Sequence, residues 1–342
     1  MLANAGLTTE SHVVALDGLL VLVSPNNPMS TLSLEQIAKI FSGQITDWAQ
    51  LGQKARKINV YRRGDKSGTF DTFDQLVLKP FNQKITTTAK TFESNAELSD
   101  EVARDPDGIG FVGFAYLRNA KAVTIAGSCG MTSKPTPFNV KSEEYPLSRR
   151  LYLYTTNKAG TQALKLLDFA LSDEAQGIVA ENGYVEQSPD YLDFAQQTER
   201  LAGAVDVPDA DFNLNEMRLL MADIRGARRL STTFRFNLNS VQLDEKAQQD
   251  IKRLASLITS SLEGKEIFLI GFGDASGPYD SGRIISINRA NAVKTALLKA
   301  GGQNLDAAKI VTKGYSKLMP VACNDTVAGR QRNRRVEVWV QD

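Results

Sequence analysis

Two different orders of strand-like and helix-like stretches follow one another along this chain, and that change of order constrains its fold more than any single residue does. In the first part the two alternate. His12 to Ser24 is rich in Val and Leu and closes on Pro25-Asn26-Asn27-Pro28, a buried strand running into a turn. Leu32 to Phe41 then carries apolar residues at helical spacing, with Ser33 placed to cap the helix, Gln36 three residues on and Gly43 beyond its end. Lys57 to Tyr61 alternates like a strand and leads through a Gly-containing turn into helical spacing at Phe70, Phe73, Leu76 and Val77. Ile109 to Phe114 and Leu151 to Tyr154 read as further strands, and Thr161 to Ala180 as one amphipathic helix. Such alternation predicts an α/β domain up to about residue 190.

From Asp190 to Arg229 the pattern weakens. Acids cluster over residues 205–211 and one helix-like stretch covers Leu214 to Ile224, so this segment reads as a connector. Beyond it the order changes to βαβαββ: strands at Leu230 to Leu243, Ile267 to Gly271, Lys309 to Gly314 and Arg335 to Val340, with helices at Asp244 to Leu262 and Ser286 to Ala300. This order suits an α+β domain, one sheet backed by helices. The expected division is 1–190, a connector over 191–229, and 230–342. A length of 342 residues fits two domains at roughly 150 residues each.

A net charge of +1 gives no overall field that would attract nucleic acid or an anionic bilayer, so any ligand is held locally. The apolar run Val13 to Val23 is broken by Asp17 and falls far short of the roughly 20 residues of a spanning helix. The first twelve residues contain no Lys or Arg, so no export signal is expected in the chain as given. Cys129 and Cys323 lie far apart in sequence. They can pair with each other, pair with a partner or remain buried thiols, and a disulfide framework is not indicated.

Two constellations carry chemistry. Arg63-Gly64-Asp65-Lys66-Ser67-Gly68-Thr69 joins a strand to a helix, and such a turn can hold an oxyanion on backbone amides, hydroxyls and a guanidinium. Asp65 can orient Arg63 or accept a proton from a protonated oxyanion. Taken alone, such a turn is more often only a helix cap. The second constellation is Asp274, in Gly271-Phe272-Gly273-Asp274-Ala275-Ser276-Gly277, with Arg289 on the helix that follows. A carboxylate and a guanidinium converging there could clamp a zwitterion, or simply bridge each other. One histidine, His12, on an apolar strand and no Cys/His/Asp grouping at metal spacing leave no catalytic residue, metal site or cofactor to name, so the chain reads as a non-enzyme.

The wider text carries two resemblances. Leu16 to Val23, Asn26-Asn27-Pro28, Leu32 to Ile37, Ile40 to Trp48, Arg63 to Phe73, Asp107 to Phe114 and Tyr145 to Tyr154 occur in the order found in the periplasmic phosphate-binding proteins of ABC uptake systems. Residues 13 to 185 thus resemble that family, which implies a two-lobed fold in which Arg63, Ser67, Gly68 and Thr69 ligate phosphate with Asp65 beside Arg63. The family's first βα lobe has no counterpart before Asp17, so the domain is expected to be incomplete and the chain truncated at its start. Leu230 to Val340 resembles the OmpA C-terminal domain through Phe236, Asn239-Ser240, the Gly271 to Gly277 turn, Ile285-Ser286, Arg289-Ala290, Gly314-Tyr315-Ser316 and Asn324 to Arg330. Many relatives have Tyr-Asn where this chain has Ser281-Gly282. That likeness implies that Asp274 and Arg289 contact diaminopimelate in peptidoglycan, and that the chain lies in the periplasm against the cell wall and outer membrane. Together the two imply an incomplete α/β periplasmic-binding-protein-like domain followed by an α+β OmpA-like domain, non-catalytic, with peptidoglycan and phosphate as ligands and an ABC permease as a candidate partner. A phosphatase on the same fold and a ligand-free envelope linker are the alternatives.

Overall fold

A computed structural model describes residues 8–206, 212–306 and 309–341. The first unit opens with a long strand, β1 (Thr9–Val23), then β2 (Thr31–Ser33), α1 (Leu34–Phe41), β3 (Asn59–Arg63) and α2 (Gly68–Phe73). It continues with β4 (Lys90–Phe92), α3 (Asn95–Arg104), β5 (Gly108–Gly113), β6 (Lys121–Ala122), β7 (Thr124–Ala126), β8 (Thr132–Ser133) and α4 (Pro137–Lys141). β9 (Ser148–Thr156), α5 (Thr161–Ala170) and α6 (Asp173–Glu181) complete it. Ser33 caps α1 as its sequence predicts: its hydroxyl accepts from the Gln36 amide while the Gln36 side chain returns to the Ser33 amide.

β1 belongs to two ribbons at once. Its C-terminal half pairs antiparallel with β5 inside a sheet ordered β4-β3-β5-β1-β6, and its N-terminal half pairs with β9. A bulge between Val13 and Ala15 lies in the second pairing, and Gln187 and Gln176 donate to the carbonyls of Val13 and Val14. The stretch Thr161 to Ala180 is not the single helix expected. Leu171 ends α5 and the Ser172 hydroxyl caps α6 through the Ala175 amide, because a serine there competes well for a helix start. Of the apolar residues of α5, Leu167 is buried whereas Leu166 is 64% exposed and Phe169 43%.

The second unit comprises β10 (Tyr191–Leu192), α7 (Thr198–Asp206), α8 (Leu214–Ile224), β11 (Arg228–Arg235), α9 (Glu245–Ser261) and β12 (Glu266–Phe272). α10 (Tyr279–Gly301), β13 (Ile310–Gly314), α11 (Val327–Asn333) and β14 (Arg335–Gln341) follow. Its sheet runs β10-β11-β14-β12-β13, with β12 and β13 parallel and β14 antiparallel to both of its neighbours. Strand periodicity assigns Ile267, Leu269, Val336, Val338 and Val340 to the face under α9 and α10. Phe268, Ile270, Phe272 and Trp339 fall on the opposite face, and there Met217, Leu220 and Ile224 of α8 cover them. The segment read as a connector is therefore packed structure where it is described: β10 extends the sheet and α8 forms its third layer. Of the acidic stretch at 205–211, residues 207–211 lie outside the described residues.

The units meet over a charged joint. Cys129 and Cys323 form a disulfide with Cα atoms 5.7 Å apart, so the two cysteines pair with each other and not with a partner or as free thiols. Gly127 makes room for that bridge, since a Cβ there would lie 2.4 Å from the Cys323 sulfur. Arg229 on β11 reaches Glu144 of the first unit, Arg150 reaches Asp244 at the N-cap of α9, and His12 faces Glu245 at 3.8 Å with its other ring nitrogen 2.9 Å from the Thr155 hydroxyl. No helix among the described residues is long and apolar enough to cross a membrane.

Candidate functional sites

The turn between β3 and α2 is held from behind. The Arg63 guanidinium does not reach out from it; Nε donates to the Phe92 carbonyl at 3.2 Å and Nη2 to that of Glu93 at 2.6 Å. Asp65 is not beside Arg63. It pairs with Arg62, whose guanidinium in turn stacks on Phe70 at 4.2 Å, because the exposed end of the turn brings i and i+3 side chains together. Ser67 caps α2 by accepting from the Thr69 amide at 3.2 Å, and a Cβ on Gly68 would meet nothing within 4 Å. The loop thus leaves open space over the Gly68 backbone, beside a mostly buried Thr69.

Two residues that were not singled out as site residues stand directly against this turn. Arg149 on β9 donates through Nη1 to the Gly68 carbonyl at 3.2 Å and the Thr72 hydroxyl at 2.8 Å. Its Nε and Nη2 donate to one oxygen of Asp17 at 2.9 and 2.6 Å, and the other oxygen accepts from the Phe114 amide at 3.0 Å. Asp17 is 1% exposed. A buried carboxylate needs such partners, so the lone acid inside an apolar strand was the signal available in the sequence. What it could not reveal was a partner 132 positions away.

In the second unit, Asp274 and Arg289 come to one place but do not bridge each other among the described ion pairs. Asp274 takes the Ser276 amide at 2.9 Å on one oxygen and pairs with Arg334 through the other. Burial alone would raise its pKa; the Ser276 amide and the Arg334 guanidinium outweigh this and hold the carboxyl below the usual range, ionised. Arg289 is 1% exposed, lies 5.4 Å from the Phe236 ring and donates to the carbonyls of Ser240 at 3.1 Å and Asn237 at 3.2 Å. No carboxylate among the described residues pairs with it. Burial, then the neighbouring Arg334 charge, push its pKa down to about 10, with Asp274 opposing.

The helix that carries Arg289 is seated by glycines. A Cβ on Gly271 would lie 1.9 Å from the Ser286 carbonyl oxygen, and one on Gly314 2.6 Å from the Ile287 nitrogen, so β12 and β13 touch the backbone of α10. Gly282, at one of the two positions where many relatives carry Tyr-Asn, makes room for Ser316, whose Oγ would be 2.3 Å from a Cβ there. α10 begins seven residues before the expected Ser286, after Pro278 at its N-cap. Arginines near the C-terminus brace the fold: Arg335 pairs with buried Glu337, and Arg330 donates to the Asn324 carbonyl at 2.8 Å.

The described residues contain no group of three or more His, Cys, Asp or Glu placed to hold a metal ion. Family models match a PBP superfamily domain over residues 3–174 and the OmpA family over residues 235–334. Among curated proteins, the phosphate-binding protein PstS of Bacillus subtilis is 33% identical over 175 residues, 51% of this chain and 56% of that protein. PstS of Borreliella burgdorferi is 27% identical over 179 residues, 51% of this chain and 64% of that protein, and protein SphX of Synechococcus elongatus 32% over 161 residues, 44% and 47%. The chain thus spans roughly half to two thirds of the length of these relatives. Among solved structures, an ABC-type phosphate transport receptor from Vibrio cholerae matches 52% of this chain and 72% of its own at 28% identity and a TM-score of 0.46. The peptidoglycan-associated lipoprotein from Burkholderia pseudomallei matches 32% of this chain and 89% of its own at 24% identity and a TM-score of 0.30.

Proposed function

From the premise that this chain belongs to the PBP superfamily, matched over residues 3–174, and carries an OmpA-family domain over 235–334, we propose that it is a non-catalytic protein of the cell envelope that holds peptidoglycan with one unit and an oxyanion with the other. The observation that carries the wall reading is the state of Arg289: a buried guanidinium, held by two backbone carbonyls and paired with no described carboxylate, beside an ionised Asp274. A diaminopimelate side chain brings the carboxylate that Arg289 lacks, and an ammonium that can join Arg334 at Asp274, so binding relieves the uncompensated buried cation. Asp274→Ala and Arg289→Ala are each expected to weaken retention on isolated diaminopimelate-type peptidoglycan about 100-fold, the loss of one charge-assisted contact of roughly 3 kcal/mol. Full retention by both variants, folded by circular dichroism, would refute the reading.

For the oxyanion, the support is the open Gly68 backbone at the N-terminus of α2, with Thr69 next to it, Arg63 bracing the turn on the Phe92 and Glu93 carbonyls and the Arg149–Asp17 pair bonded to the Gly68 carbonyl. We assign phosphate to this place, contacted by Ser67, Gly68 and Thr69 and by Arg63 once its guanidinium leaves the Phe92 and Glu93 carbonyls, with Asp65 on the rim once it leaves Arg62. Arg149→Met is expected to weaken phosphate binding at least tenfold by calorimetry, since it frees both the Gly68 carbonyl and a buried carboxylate next to the anion. Equal affinity in wild type and variant would remove the turn as the site. We place the protein in the periplasm, where the Cys129–Cys323 bridge would persist, and leave an ABC permease as a partner to be sought by co-purification.

The boundary between the units follows as part of this reading. We draw it near residue 190 and assign all that follows, including residues 191–229, to the wall-binding unit, because β10 and α8 pack on its sheet.

A further inference from the structure

A cleft of about 510 Å³ lies at the joint between the two units, away from both sites above. Thr132, Asn139 and Glu144 line it from the first unit, and Gln197, Arg200 and Arg229 from the second. Its size falls in the range of roughly 300–1,000 Å³ common for small-molecule sites. Its chemistry is unusual in one respect. Gln197 is 2% exposed and its Nε2 has no hydrogen-bond partner, and neither has the buried Nε of Arg200. Two unsatisfied N–H donors on the lining of one cleft are costly unless a ligand or water accepts from them.

The charges around the cleft point the same way. Three guanidiniums, of Arg200, Arg229 and Arg335, share two carboxylates, of Glu144 and Glu337. Burial, with the Arg200 and Arg229 charges adding to it, lowers the Arg335 pKa to about 9 against the pull of Glu337 and Glu144. One carboxylate would take up the guanidinium in excess of the two acids, whereas a second negative group would meet Glu144 on the same wall. A carboxylate also matches donors of the amide and guanidinium type, and Glu144 opposite them can accept from an ammonium or hydroxyl of the same molecule.

We propose that this cleft is a binding site for a small monocarboxylate of amino-acid or short-peptide size, so that a ligand at the joint touches both units. The probes are acetate, the smallest form of the anion, and glycylglycine, a zwitterion that also presents an ammonium to Glu144. Calorimetry on the full chain is expected to register glycylglycine more tightly than acetate. Gln197→Leu is expected to weaken it at least tenfold. Gly203→Phe places a ring in the cleft from a helical position whose Cβ meets nothing within 4 Å, and is expected to abolish binding at an unchanged melting temperature. Inorganic phosphate and peptidoglycan binding stay at wild-type level in both variants. Absence of any heat with either probe at roughly millimolar concentration overturns the proposal. So does undiminished binding in Gly203→Phe, or a parallel loss of glycylglycine and peptidoglycan binding in Gln197→Leu, which would make Gln197 a structural residue.

Discussion

Replacing Glu337 by glutamine is expected to destabilise the folded chain by about 3–5 kcal/mol in urea titrations, the cost of removing one partner from a buried charge cluster. Glu337 has no exposed surface. It pairs with Arg200, accepts from Arg335 Nε at 2.6 Å and from the Trp339 indole at 3.1 Å, and lies 3.3 Å from Arg229 Nε. The amide keeps the shape and removes the charge, leaving three guanidiniums with Glu144 alone. A destabilisation under 1 kcal/mol would mean that water or a mobile side chain compensates, and that the cluster is not closed.

The same cluster sets an acid limit. Burial would raise the pKa of Glu337; the Arg200, Arg229 and Arg335 charges overcome it, so the folded value lies well below 4.5. Glu144 is also lowered, burial again being outweighed by Arg229 and Arg200, and Glu143 falls to about 2 through Arg150 in spite of burial. For acids depressed in the folded state, the stabilisation is fully present above the unfolded pKa and is lost as pH falls through the folded one. Stability should therefore be level above about pH 5 and drop steeply between pH 4.5 and 2, and the drop should be shallower in the Glu337→Gln variant.

How much of this was readable beforehand depends on the reach of each interaction. The α1 capping box spans three residues and the strand faces repeat every two, so both stand in the sequence. The break at Leu171 and Ser172 was missed because the apolar spacing continues across it, and only the Ser172 cap separates the helices. Long-range partners were not readable at all. Asp17 and Arg149 both lay within stretches that carried the family likeness, yet nothing local joined them. The family likeness implies Asp65 beside Arg63, and the folded turn pairs it with Arg62 instead. Asp274 likewise pairs with Arg334 and leaves Arg289 without a carboxylate partner among the described ion pairs, so the internal bridge that spacing allowed does not form and the proposed ligand contact stays open to both. Residues 191–229 looked like a connector because α8 covers a sheet that forms only from later strands.

Gly271→Ala is the substitution expected to damage the proposed wall-binding site most without touching a ligand contact. The added Cβ would sit 1.9 Å from the Ser286 carbonyl oxygen and 2.6 Å from its carbon, both backbone atoms of α10, so no rotamer change can relieve it. Ser286 cannot retreat easily. It is fully buried, its hydroxyl donates to the Arg283 carbonyl at 2.9 Å and accepts from the Ser316 amide at 3.2 Å, and Gly314 is packed against the next residue of the same turn. The helix must therefore lift from β12 by more than an ångström, which we expect to cost about 3–5 kcal/mol. Arg289 lies three residues along α10 from Ser286, while Asp274 follows β12, so the same displacement widens the gap between them. A clamp built on converging charges loses strength with such a shift. Peptidoglycan retention should then fall at least tenfold at temperatures where circular dichroism still reports a folded chain. A Gly177→Ala control, on an open face of α6, should leave retention unchanged and stability equal or higher. Wild-type retention in a folded Gly271→Ala protein would show that the site does not depend on how α10 is seated.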